Sequence, residues 1–127
     1  MFIKIFLLFF FLYNNSIFAE SYINNLEIIN DIGKPIHYRV EVAKTNEEQV
    51  KGLMYRLELK KNEGMLFLFD NEKKTSFWMK NTFIPLDIIF INKNGSINKI
   101  YKNSKPKSLK RIKSKGKIME ALEINTG

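Results

Sequence analysis

Between Phe77 and Ile91 two apolar runs enclose a short polar island, Lys80-Asn81-Thr82, and Asp87 stands alone inside the second run. Polar groups held against a core need partners, because a buried amide or hydroxyl left unpaired costs roughly 1–3 kcal/mol and an unpaired charge costs more. The island is therefore a lock on the fold or a site. Upstream, residues 36–43 alternate, with Ile36, Tyr38, Val40 and Val42 on one face and His37, Arg39 and Glu41 on the other, which predicts a half-buried strand. Thr45 and Glu48 form a capping box, so a short helix is expected from Asn46 to Lys51. Gly52 is placed to end that helix in a left-handed conformation, after which Leu53 and Met54 enter the core.

Met65 to Phe69 has strand character, Asp70-Asn71-Glu72-Lys73-Lys74 reads as a polar turn, and Thr75 to Met79 reads as the returning strand. Pro85 lacks a backbone donor and belongs at a strand start or a sheet edge. Leu86 to Ile91 is apolar on both faces apart from Asp87, which predicts a central strand. Asn94-Gly95, with both residues at positive φ, should turn the chain so that Ile97 to Tyr101 pairs back. Residues 102–117 then form a basic connection broken by Pro106, and Ile118 to Ile124 a last strand. Short strands with one brief helix predict a mainly β fold, a sandwich or open barrel with an α-helix at about 46–51.

Composition narrows this picture. The 127 residues are 45% hydrophobic and 13% aromatic, enough for one core in one domain. Residues 1–19 stand apart: Lys4 supplies a positive end, Ile5 to Tyr13 is unbroken apolar and aromatic, and Ile17-Phe18-Ala19 precedes Glu20 as a cleavage site. This predicts a signal peptide over 1–19 and a single β-rich domain over 20–127, exported to a periplasm or beyond the cell. Asn14-Asn15-Ser16 interrupts the run too early for a span of about 20 apolar residues, so no stable membrane anchor is expected after cleavage. The chain has no cysteine, so disulfides and lipid attachment at the cleavage point are excluded.

The formal charge of +8 sits in one place: residues 93–117 carry nine Lys and Arg111 with no acid. Such a block suits weak contact with an anionic surface, or else a solvated loop. Aromatic interleaving for base stacking is missing apart from Tyr101, so no nucleic acid is expected.

Val40-Glu41-Val42-Ala43-Lys44-Thr45, Glu48-Gln49, Gly52-Leu53-Met54-Tyr55-Arg56, Gly64-Met65-Leu66-Phe67, Phe77-Trp78-Met79-Lys80-Asn81-Thr82 and Ile84-Pro85-Leu86-Asp87 follow one another in an order and spacing that resembles domain of unknown function family 192. The resemblance spans residues 36 to about 124. It implies a small, mostly β, jelly-roll-like domain, commonly behind an export signal, and no established activity. Members of the family usually continue past the Leu-Glu strand into a Gly-Ile and a Gly-Asp turn, so the resemblance also implies that this chain is shortened at its C-terminus.

Candidate chemistry gathers around the island. Glu48, Gln49, Arg56, Lys80, Asn81, Thr82 and Asp87 make the best constellation, with Trp78 as a wall: an acid beside a cation can be tuned for proton transfer, while Asn and Thr orient a carbonyl or hydroxyl. Arg56, Trp78, Lys80, Asn81, Thr82 and Asp87 are the expected ligand-binding set. Glu48 is already engaged by its cap. In the purely structural arrangement Arg56 pairs with Asp87 and Asn81 ties down a turn. Neither cofactor nor metal is expected, since His37 is the one histidine and Met54, Met65, Met79 and Met119 are ordinary core fillers. Activated Ser or Cys nucleophiles, phosphate loops and zinc spacings find no support.

These residues point to an exported β domain that binds a small polar or glycan-like ligand or an envelope partner. A hydrolase using Asp87 and a purely structural element are the alternatives.

Overall fold

The computed structural model describes residues 1–6 and 23–127. The cleavage position expected after Ala19 lies outside them, as does most of the apolar run before it. Among the described residues seven strands and one helix follow in the order β1 (Phe2–Phe6), β2 (Ile23–Ile29), β3 (Pro35–Ala43), α1 (Asn46–Lys51), β4 (Glu63–Phe77), β5 (Leu86–Ile91), β6 (Ile97–Ser104) and β7 (Ile112–Asn125). They form one mixed sheet in the order β1-β2-β3-β4-β7-β5-β6, with β3 and β4 parallel and the other neighbours antiparallel. The expected mainly β architecture is found. The sheet is open, although its edges meet at one corner, where Ile3 N–H donates to the Gly95 carbonyl and Phe2 bridges to Ser96.

Both faces of this sheet carry a core. Met65, Phe67 and Phe69 of β4, Leu86, Ile88 and Phe90 of β5 and Ala121 of β7 face one side. Leu66, Ile89, Ile91, Leu122 and Ile124 face the other, against Val40, Leu26 and Ile28. Strand β5 lies between β6 and β7 with all six residues buried, as its two-sided apolar pattern requires.

The helix has the predicted bounds. Thr45 Oγ1 accepts from the Glu48 N–H at 3.1 Å and the Glu48 carboxylate accepts from the Lys44 N–H at 3.0 Å, one residue before the cap itself. That backbone bond holds the Glu48 carboxyl below its ordinary pKa. Gly52 ends the helix at φ 48°, and Leu53 is buried in the first core. Thr45→Ala should cost about 1 kcal/mol of stability in urea denaturation, the usual worth of such a cap.

Three local expectations are corrected. Asp70 to Lys74 is no turn: β4 runs through it as one strand of 15 residues, paired with β7 as far as Phe77↔Ile112. Beyond the sheet this pair is a two-stranded ribbon, where an exposed polar run is compatible with a strand. Register shifts after Leu68 and Lys74 bend it. The basic connection shrinks accordingly, because β6 extends to Ser104 and β7 begins at Ile112. At the β5–β6 turn only Gly95 has positive φ, 85°, and its N–H donates to the Asn92 carbonyl. This is a three-residue hairpin loop with Gly in the left-handed position, rather than a two-residue turn.

Apolar burial fixes the far end of the bent ribbon. Phe77 packs edge-on against Phe67 with ring centroids 4.9 Å apart and lies 5.8 Å from Phe90, and Ile112 and Ile118 join the first core. The ribbon thereby folds back over one face of its own sheet.

Candidate functional site

The side chains beneath the folded-back ribbon leave a cavity of about 300 Å³. Gln49, Lys51 and Leu53 reach it from α1 and its exit. Phe67, Phe69, Lys73 and Phe77 come from β4, Trp78 and Thr82 from the segment after it, and Arg111 from the approach to β7. Gln49 is held by its amide, which donates to the Leu68 carbonyl at 2.8 Å and to Ala43 at 3.2 Å. The helix is thus clamped to β3 and β4.

Glu123 also lines this cavity. It lies on β7 between Met65 of β4 and Ile88 of β5, on the Ala121 face, and is only 5% exposed. Among the described residues its carboxyl has no hydrogen-bond or ion-pair partner, yet no fully enclosed polar atom is left unpaired, so its oxygens must reach the cavity. Burial pushes its pKa up to about 8. At neutral pH it is a neutral acid with a proton to donate.

The cavity mouth carries the opposite character. The Arg111 guanidinium carbon sits 4.0 Å from the Trp78 ring centroid, and Lys73 Nζ lies 4.5 Å from the centroid of Phe69. Lys80 Nζ approaches Trp78 at 5.1 Å. Among the described residues the ion pairs are Met1–Asp31, His37–Glu27 and Arg56–Glu41, so Lys51, Lys73 and Arg111 at the mouth have no carboxylate partner.

The sequence-predicted residues divide. Trp78 and Thr82 line the cavity, Trp78 as a half-buried wall. Lys80 and Asn81 belong to the turn that presents them: Thr82 N–H donates to the Met79 carbonyl at 3.1 Å, and Asn81 takes the left-handed position at φ 53°. Asn81 Nδ2 donates to the Tyr55 hydroxyl at 2.9 Å, and the Asn81 carbonyl accepts from Tyr55 N–H at 2.8 Å. The island is therefore locked, as its structural reading required. Arg56, however, pairs with Glu41 and not with Asp87.

Asp87 faces the opposite side of the sheet from Glu123, next to Ile89. Its Oδ1 accepts from Asn103 N–H at 2.8 Å and from the Thr126 hydroxyl at 2.5 Å. Those bonds tie β6 and the end of β7 to β5. A smaller cavity of about 190 Å³ lies near that second core, bordered by Leu26, Val40, Leu66 and Glu120.

A curled, mainly β domain with a capped helix clamped over a cavity is the class these features define. A family model described as DUF192, Uncharacterized ACR, matches residues 28–127, and the chain belongs to that family. Among solved structures it is similar to a protein of unknown function from Novosphingobium aromaticivorans DSM 12444, with 37% identity, TM-score 0.82, and coverage of 88% of this chain and 79% of that one. It is also similar to a protein of Sinorhizobium meliloti 1021 provisionally described as a transcription regulator, at 36% identity, TM-score 0.79, and coverage of 81% and 80%. No curated protein matches the chain.

Proposed function

We propose that this protein is a binding domain for a small molecule, taken up in the cavity between α1, the sheet and the bent ribbon. One observation carries the reading: a buried carboxyl without a partner, Glu123, opens into an aromatic-walled space. An unpaired buried polar group costs stability, and a ligand atom accepting its proton removes that cost. Pockets of this kind combine apolar walls with a few convergent polar groups, and about 300 Å³ is the small end of their range. Trp78 and Thr82 keep their proposed ligand-facing roles, while Arg56, Lys80, Asn81 and Asp87 hold the surrounding frame.

The test is a library of small ring compounds titrated into the isotope-labelled chain and followed by amide chemical shifts. Hits are expected to move Phe67, Trp78 and Glu123 together. Compounds that bind only elsewhere, or none that bind at all, would end the proposal.

Acid catalysis is a second reading, favoured by the raised pKa of Glu123. It moves the reactive carboxyl from Asp87, whose hydrogen bonds are structural, to Glu123. Any hydrolysis found should then survive Asp87→Asn and vanish in Glu123→Gln.

The reading includes export and release of a form beginning near Glu20. Cleavage there would remove β1 with the leader and leave β2 as the sheet edge. The exposed lysines of 93–117, Lys102, Lys105, Lys107 and Lys110 among them, would add loose, salt-sensitive attachment to an anionic envelope surface.

A further inference from the structure

The proposed binding reading leaves the ligand's chemistry open, and the charges around the cavity narrow it. Three cations, Lys51, Lys73 and Arg111, stand at the mouth with no carboxylate opposite them, and the one acid among the lining residues, Glu123, is only 5% exposed. Two of those cations are positioned rather than loose. Arg111 is stacked on Trp78 and Lys73 on Phe69, so each is held by an aromatic face while its N–H donors remain uncommitted. An arginine fixed in this way offers a planar fork of donors, which matches a carboxylate.

The inner part of the cavity differs: Phe67 and Phe77 meet edge-on there. Such walls suit a ring or a short branched chain. A neutral sugar can lay its C–H face on these rings but leaves the cations uncompensated.

We propose, resting on the binding reading above, that the ligand is a small organic carboxylate. Its apolar body lies against Phe67, Phe77 and Trp78, its carboxylate meets Arg111 and Lys73 at the mouth, and any acceptor atom at its far end meets Glu123. The buried acid then discriminates as well as binds, because a second carboxylate at the inner end would face it without a cation.

Trp78 makes the test direct, since it is the chain's only tryptophan and lines the cavity. Its fluorescence is titrated in the full chain at pH 7 and low salt with benzoate, cyclohexanecarboxylate, benzamide, benzyl alcohol and phenylphosphonate. Saturable binding of the two carboxylates is expected, at least about tenfold tighter than the neutral pair, the scale set by a hydrogen bond to a charged group. In a Lys73→Gln, Arg111→Gln double variant with an unchanged circular dichroism spectrum, that preference should disappear. Comparing benzoate with benzamide inside each protein removes any change in baseline emission.

Equal binding of benzamide and benzoate would overturn the carboxylate while leaving the cavity reading intact, as would tighter binding of phenylphosphonate. Persistence of the preference in the double variant would also overturn it. No saturable response to any of the five compounds would overturn both.

Discussion

Glu123→Gln is expected to make the protein more stable than the parent at pH 8.5 and to leave it nearly unchanged at pH 4. Burial raises the folded-state pKa of Glu123 from its ordinary 4.5 to about 8. Below the lower value the carboxyl is protonated in both states, and its full contribution to stability is present. Between the two values the unfolded chain releases its proton and the folded chain keeps it, so stability falls by about 1.4 kcal/mol for each pH unit. Above about 8 the folded protein must hold a buried charge, and the accumulated loss is on the order of 5 kcal/mol. Glutamine does not titrate and keeps a donor at the cavity. Lys51, Lys73 and Arg111 line the same cavity and are common to parent and variant, so what they contribute cancels in the difference.

Other groups shift too. Burial raises Glu120, and the cap lowers Glu48, but both are present in parent and variant and cancel in the difference. Urea denaturation at pH 4, 6 and 8.5 is the measurement. Parallel pH profiles for the two proteins would mean that the Glu123 carboxyl is solvated or paired, and the binding proposal would lose its main support.

How much of this was legible beforehand depends on the range of the interactions involved. The helix was readable to the residue because Thr45, Glu48 and Gly52 determine it within eight positions, and β5 was readable because a strand apolar on both faces has to be central. The island around Asn81 was legible as a demand for partners but not as to which: Thr82 is satisfied within its own turn, whereas Asn81 is tied to Tyr55, far back in the chain. The course of β4 was hidden. Asp70 to Lys74 has turn composition, and it stays in the strand between β7 pairings on either side, Leu68↔Glu120 and Lys73↔Ile118, more than forty residues on.

Glu123 was hidden for a related reason. It sits in Ile118 to Ile124 as Asp87 sits in Leu86 to Ile91, so the signal of an acid inside an apolar run was present in both. Asp87 finds donors from Asn103 and Thr126, whereas Glu123 is flanked by Met65 and Ile88 and finds none. That contrast comes from strand order, with β7 buried between β4 and β5. Arg111 was likewise counted within a diffuse basic block, and only the returning ribbon places it on Trp78.

Gly64→Ala should be among the most damaging single substitutions in the molecule, removing about 3 kcal/mol or more and leaving much of the chain insoluble, the upper end of what overpacking does. Alanine at a glycine of ordinary φ is normally stabilising by about 0.4–1 kcal/mol through the unfolded chain. Here sterics win. A Cβ on Gly64 would lie 2.5 Å from the Glu123 carbonyl oxygen, 3.0 Å from Ile124 Cγ2 and 3.4 Å from Leu122 Cδ1. The first of these is backbone and cannot turn aside, and β4 cannot retreat because β3 holds Gly64 on its other side through Val40. Gly116→Ala is the comparison: nothing lies within 4 Å of its added Cβ, but φ is 65°, so the cost should be the roughly 1–2 kcal/mol of a left-handed alanine. Urea midpoints for the two variants decide the matter, and a Gly64→Ala protein within about 0.5 kcal/mol of the parent, the range of an unremarkable surface change, would show that β4 and β7 are not held at this spacing. The consequence reaches the cavity. Glu123 is carried by the backbone that Gly64 allows to come close, so a partly folded Gly64→Ala protein should lose benzoate binding even where its far-UV spectrum survives.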